Sequence, residues 1–240
     1  MLFKKKKNGP VDMRLEEKQF AKILDIKADD VGTKYCVIAQ ADHYYLLYRD
    51  GRFLGMPCPY GGAIYPFSLN PTEPGSKSQK KKFNAARIVC LSNAYVLEVK
   101  WGTRDNPVLS DPITQKNYMY GANGAFYAKI EEKDAARSAD KFYRKVLSQF
   151  SGEAFTYENL RDKLLNAFLP KINDAVQNYI NANRVSLTDF IGMNGQQLKA
   201  ISNALCSNMI NVFDEYGVVI VESSSKDCIL SKIFVLSNDA

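Results

Sequence analysis

The feature that most constrains this chain is a change of hydrophobic period near Glu131. Before it, apolar residues come in short β-branched and aromatic runs bounded by Gly, Pro and Asn, as strands do. After it, they recur every three or four residues, as on amphipathic helices. "HYYLLYRDGRFLGM" (43–56) turns at Asp50-Gly51, a dipeptide strongly favoured in two-residue hairpins. "ARIVCLS" (86–92) and "YVLEVKW" (95–101) predict two more strands, with a turn near Asn93. "YMYGANGAFYAKI" (118–130) predicts another, interrupted by Gly121 and Gly124, where a bulge or a close backbone approach is expected.

In the second half, Phe142, Val146, Leu147 and Phe150 share one predicted helix face. Thr156 can cap a longer helix with Leu160, Leu164, Phe168, Ile172, Val176 and Tyr179 near one stripe, and Pro170 predicts a kink or a break in it. A third helix opens at Asn194, with Gln197 completing a capping box, and presents Leu198, Ile201, Leu205, Met209 and Val212 until Gly217 ends it. "VVIVES" (218–223) is a returning strand, and the tail from Cys228 reads as extended, with a helical reading of part of it open. Strands first and helices after imply an α+β fold: a mostly antiparallel sheet in the N-terminal half, packed with helices from the C-terminal half. Residues 1–10 read as a flexible basic tip. Residues 11–34 are expected to be a helical segment, because Met13, Phe20, Ile23 and Leu24 fall near helical spacing. Residues 35–240 form the main domain, divisible near 131. The proline-rich stretch 55–82 is expected to be a long connection.

A chain of 240 residues with 46% hydrophobic and 24% charged residues can bury its own core without metal or disulfide staples. Its five cysteines, Cys36, Cys58, Cys90, Cys206 and Cys228, are odd in number and lack C-x-x-C spacing. That argues for a reducing, cytoplasmic compartment, with most thiols acting as small core residues. No run approaches the ~20 apolar residues of a membrane-spanning helix. The basic start has no apolar stretch behind it to make a signal peptide, and Leu2 excludes myristoylation.

The net charge of +6 is local: residues 1–82 hold 15 Lys/Arg against 9 Asp/Glu, and the remainder is balanced. Two tracts carry the excess, Lys4, Lys5, Lys6 and Lys7, then Lys77, Lys80, Lys81 and Lys82. With Leu2 and Phe3 beside it, the first tract suits an anionic membrane surface. Phosphates of a nucleic acid are the alternative. The aromatic-interleaved basic strands of an RNA-binding sheet are missing, which argues against it. A solubilising tip without a partner accounts for the same lysines.

Catalytic signals are sparse. A nucleophile–base pair would have to use His43, the single histidine, and Cys36 could face it across a hairpin. The flanking residues make no nucleophile elbow, and a solvated edge histidine fits better. Zinc-finger spacing, phosphate-binding loops and dinucleotide fingerprints are missing, and the acidic pairs at 29–30 and 131–132 read as solvated surface. The expectation is a chain with no catalytic, metal or cofactor residues.

"YVLEVKWGTRDNPVLSDP" (95–112), followed by "YMYGANGAFYAKIEEKD" (118–134), resembles the signature of the SPFH or band 7 superfamily (stomatin, prohibitin, flotillin, HflK/C). The likeness is to its bacterial branch labelled virion core protein. Lys100, Trp101, Gly102, Thr103, Pro107 and Val108 match that branch's K-W-G-T-x-x-P-I/V segment, although three residues separate Thr103 from Pro107. Gly124, Tyr127 and Ile130 fall on its next strand motif. "HYYLLYRDGRFLGM", "FTYENLRDKLLNAF" (155–168) and the segment around Gly217 are similar to its hairpin, helix and final helix–strand. The resemblance implies a non-enzymatic scaffold or adaptor domain that self-assembles as a homo-oligomer. It would lie at the inner face of a membrane or on a membrane-bound protein partner, in membrane organisation or envelope stress. In that reading Trp101 ends a strand and packs beneath the polar loop, anchoring a corner of the sheet.

Overall fold

The computed structural model describes residues 11–27, 34–40, 43–56, 64–68, 85–93, 97–104, 107–150, 154–192, 195–221 and 230–237. Both lysine tracts, Leu2, Phe3 and Asn194 lie outside these residues. The chain divides into two units and passes between them three times. One unit comprises Met1–Tyr95 with Glu132–Tyr157, and the other Val96–Glu131 with Glu158–Ala240.

The first unit is built on an antiparallel sheet. β4 (His43–Arg49) and β5 (Arg52–Gly55) form a hairpin whose turn residues Asp50 (φ 47°) and Gly51 (φ 75°) both adopt the positive φ of a type I′ turn. β7 (Ala85–Ser92) pairs with β4, and β2 (Gln19–Lys27) pairs with β7. The short β11 (Ala154–Thr156) completes the order β11-β2-β7-β4-β5. A small sheet, β1 (Val11–Asp12), β3 (Lys34–Ile38) and β6 (Ile64–Ser68), is ordered β1-β3-β6. β6 falls within the stretch expected to be a plain connection, because Pro66 can sit on an edge strand where its missing N–H costs nothing.

The described residues of the segment expected to be helical over 11–34 form no helix. Those residues form β1, the loop and turn over 13–18 and β2, with Lys34 already in β3, and β2 pairs with β7 over seven positions from Ala21 to Lys27. Gln19 N–H donates to Glu16 O (2.9 Å), closing a turn where the helix would have run. Four apolar residues near a 3.6 spacing are a weak signal, and cross-strand pairing overrides it. A bulge opposite Phe155/Thr156 resets the alternation of β2, so Phe20 meets the ring of Phe142 edge-on (5.3 Å between centroids).

Phe142 belongs to α1 (Ala135–Lys145), capped by the Asp134 carboxylate and closed by Arg144 and Lys145 at its negative dipole end. The apolar face read from the sequence outlasts the helix: Val146 is its C-cap, and Leu147 lies in a short 3-10 turn. A second cluster of this unit gathers Met13, Ile26, Val37, Tyr45, Leu47 and Ile88.

The second unit is organised by one long strand, β10 (Asn117–Ile130). β8 (Leu97–Gly102) and β9 (Val108–Ser110) share one of its edges. β12 (Val218–Val221) and β13 (Leu230–Ser237) share the other. All four pairings are antiparallel. α2 (Tyr157–Asn183) and α3 (Gly195–Asp214) supply the aromatic core on one face of this sheet. There Phe168 of α2 meets Trp101, Phe126 and Phe213 at centroid distances of 5.2, 5.0 and 6.3 Å.

Pro170 does not break α2, whose 27 residues run through it, with Phe168 and Ile172 buried on either side. The buried stripe ends on Ile180 rather than Tyr179, and that of α3 on Phe213 rather than Val212. In both helices the four-residue step established earlier persists. Gly217 (φ 69°) ends the turn after α3, and its carbonyl accepts from Glu131 N–H (3.1 Å), tying the helix stop to the end of β10. Among the described residues, no helix is long and apolar enough to cross a membrane.

Candidate functional site: the interrupted edge strand of the second sheet

β8 alternates: Leu97, Val99 and Trp101 are buried, while Glu98 and Lys100 are exposed. This is the pattern of a sheet with one covered face. Trp101 is therefore a core residue, 6% exposed, packed edge-on against Phe168. It sits one residue before the end of β8, and the helix side chain Phe168 is one of its ring neighbours.

The loop after it is an insertion within one edge of the sheet. Thr103 N–H donates to Ala122 O (2.8 Å), and the Thr103 hydroxyl accepts from Ala122 N–H (2.9 Å). On the far side of the interruption, Pro107 O accepts from Tyr120 N–H (3.0 Å), and Val108 opens β9 opposite Met119. Thr103 and Pro107 thus hold β10 at both lips of the loop. A threonine suits the first position because its hydroxyl replaces a ladder carbonyl. Gly102 has room for a Cβ, with its nearest contacts at 3.7 and 3.8 Å, so packing alone does not demand glycine there. Gly124 pairs with Trp101 and sits at a register shift against β13. Gly121 is the sterically demanding glycine, because the Phe234 ring lies directly over it.

The Thr103–Ala122 bond sets the phase of the ladder. Bonds to β10 alternate along an antiparallel strand. Trp101, Val99 and Leu97 therefore bond β10, and Glu98, Lys100 and Gly102 turn their N–H and C=O groups to the far edge. Among the described residues, β8 pairs only with β10.

On the outer face of the sheet a shallow depression of about 320 Å³ is lined by Glu98, Lys100, Asn123, Ala125, Tyr127 and Ser231. Its charges are matched: Tyr127 OH donates to Glu98 Oε1 (3.2 Å), and Lys100 Nζ lies 3.6 Å from Glu98 Oε2. A second depression, about 250 Å³, lies in the first unit beside Asp25, Tyr48, Asp50 and Tyr143. Arg87 lines it too, donating to both Asp25 oxygens (2.5 and 3.0 Å) and to Tyr143 OH (2.6 Å). The bonds to Asp25 raise the guanidinium pKa further. Tyr48 OH donates to Asp140 (2.7 Å), and burial followed by that carboxylate pushes its phenol far up.

Asp111, 1% exposed, had no signal as a site residue in the sequence. Its Oδ1 accepts from Ile113 and Thr114 N–H (2.7 and 2.9 Å), a local turn that the "DPIT" spelling does suggest. Its Oδ2 accepts from Ser186 Oγ and Leu187 N–H (both 2.7 Å), 75 and 76 residues away, which no local pattern announces. Burial alone would raise its pKa; the bonds from Ser186, Thr114, Ile113 and Leu187 outweigh burial and hold it below 3.8.

The Cys36–His43 hairpin pairing is corrected by strand order. Cys36 lies opposite Pro66 in the small sheet, and His43 opposite Ser92 in the large one. The chain reversal from β3 does not make β4 its ladder neighbour, because β6 takes that place. Cys90 is buried, Cys206 is half-buried, and Cys58 and Cys228 lie outside the described residues. Among the described residues, no three His, Cys, Asp or Glu side chains gather at metal-binding distance. Compared with known proteins, the chain matches no family and no curated sequence.

Proposed function

We propose that this chain is a non-enzymatic scaffold or adaptor domain of the SPFH type, held peripherally at an anionic membrane surface or by a membrane-bound protein, and self-assembling. One observation carries the reading. The residues of the resembling segment act on the backbone and the core: Trp101 in the aromatic cluster, Thr103 and Pro107 at the lips of the interrupted edge. Such a segment maintains a sheet whose other face, with Glu98 and Lys100, is presented outward. The membrane contact is assigned to Leu2, Phe3 and Lys4 to Lys7, each lysine contributing about 1 kcal/mol near an anionic leaflet.

Flotation with vesicles tests it. The full chain is expected to float with vesicles containing anionic lipid at moderate salt and to stay down with neutral ones. Replacing Lys4 to Lys7 by Ser should abolish flotation. Equal behaviour with both vesicle types would remove the electrostatic contact.

A further inference from the structure

We infer that the far edge of β8 is a self-complementary surface that pairs with β8 of a second copy of this chain. The proposal deepens the self-assembly part of the scaffold reading and rests on that part. Its geometry begins with the ladder phase set by Thr103 and Ala122. Glu98 and Lys100 direct their backbone N–H and C=O groups away from β10, and a partner strand satisfies such an edge by adding to it.

A two-fold axis requires two copies of β8 to run antiparallel, with the same patch on each. In an antiparallel ladder, only outward-directed residues can exchange bonds. Glu98, Lys100 and Gly102 must therefore lie opposite residues of the same set. Centring the pair on Glu98 or on Lys100 puts identical charges face to face. Centring it on Trp101 leaves Lys100 opposite Gly102. Centring it on Val99 places each Glu98 opposite the other copy's Lys100, twice, and each Leu97 opposite the other copy's Trp101. Opposite charges directly across a strand pair attract and like charges repel, so charge selects the Val99 register. Both side chains are available, with relative exposures of 43% for Glu98 and 79% for Lys100. Within one copy they already lie 3.6 Å apart, and pairing would let each also meet its counterpart across the axis.

The test is a charge swap read by light scattering over a concentration series, where the species are 27.0 kDa or twice that mass. The unaltered chain is expected to dimerise. Glu98→Lys alone puts Lys opposite Lys, and Lys100→Glu alone puts Glu opposite Glu. Each should weaken the dimer about tenfold or more. Mixing the two single variants restores opposite charges at both positions, so the mixture should dimerise again, as should the double variant Glu98→Lys/Lys100→Glu. Lys100→Pro removes an N–H that points away from β10, and is expected to give a folded monomer by circular dichroism. A dimer insensitive to both single variants would overturn the edge while leaving self-assembly through another surface. A monomer at every concentration that still floats with anionic vesicles would overturn the edge and leave the peripheral membrane contact standing.

Discussion

The two large sheets solve burial differently. In the first unit, β7 and β4 are covered on both faces: "IVCLS" and "YLLY" are buried without a break. In the second, β8 and β10 largely alternate buried and less buried positions, and one face carries the aromatic core. A continuous apolar run therefore marks a strand sandwiched between layers, and an alternating one marks a strand with a face to offer. The difference gives β8 and β10 a face that is not covered by the aromatic core.

The largest test of that contrast removes the covered face. Phe168 is fully buried among Trp101, Phe126 and Phe213, so Phe168→Ala is expected to cost about 3–5 kcal/mol in urea unfolding. Lys100→Ala on the opposite face should change stability by less than about 0.5 kcal/mol. Equal losses would mean that β8 is not one-sided.

Next comes the buried carboxylate. Asp111→Ala leaves four donors without their acceptor and is expected to cost about 3 kcal/mol. The folded pKa lies below 3.8, so this contribution is fully present above that value and is lost as pH falls through the lower folded pKa. The gap between the unaltered chain and Asp111→Asn should accordingly narrow in acid melts below pH ~4.

Two buried tyrosines sharpen the comparison further. Tyr48 in the first sheet has a carboxylate partner, and Tyr48→Phe is expected to cost about 1–2 kcal/mol. The Tyr120 hydroxyl in the second sheet is buried with no hydrogen-bond partner among the described residues, and burial raises its pKa. Tyr120→Phe should be neutral or slightly stabilising, by about 0.5 kcal/mol at most. Thermal melts of the pair would reverse the assignment if Tyr120→Phe proved the costlier change.

The fold was legible wherever a local rule dominated. Asp50-Gly51 specifies its hairpin, Gly217 its helix stop, and the four-residue steps of α2 its buried stripe. β2 was not legible, because its strand character comes from pairing with β7, about sixty to seventy residues on, and from a bulge that disturbs its alternation. In the candidate site, the spelling around Trp101 shows the buried and exposed alternation of β8. The stitch from Thr103 to Ala122 and the tie from Asp111 to Ser186 join residues 19 and 75 apart, and such long-range bonds leave no period to read.

The threefold crossing between units has a consequence for synthesis. Neither unit is one continuous stretch, so neither can close in the order in which residues leave the ribosome. A nascent chain halted at Glu131 carries β2, β4, β5 and β7 but lacks the α1 and β11 that belong to the same unit. Its β10, already made, still waits for β12 and β13, about ninety to a hundred residues later. Until β11, β12 and β13 arrive an edge of each large sheet stays open, an exposure that chaperones counter in slow-closing β topologies.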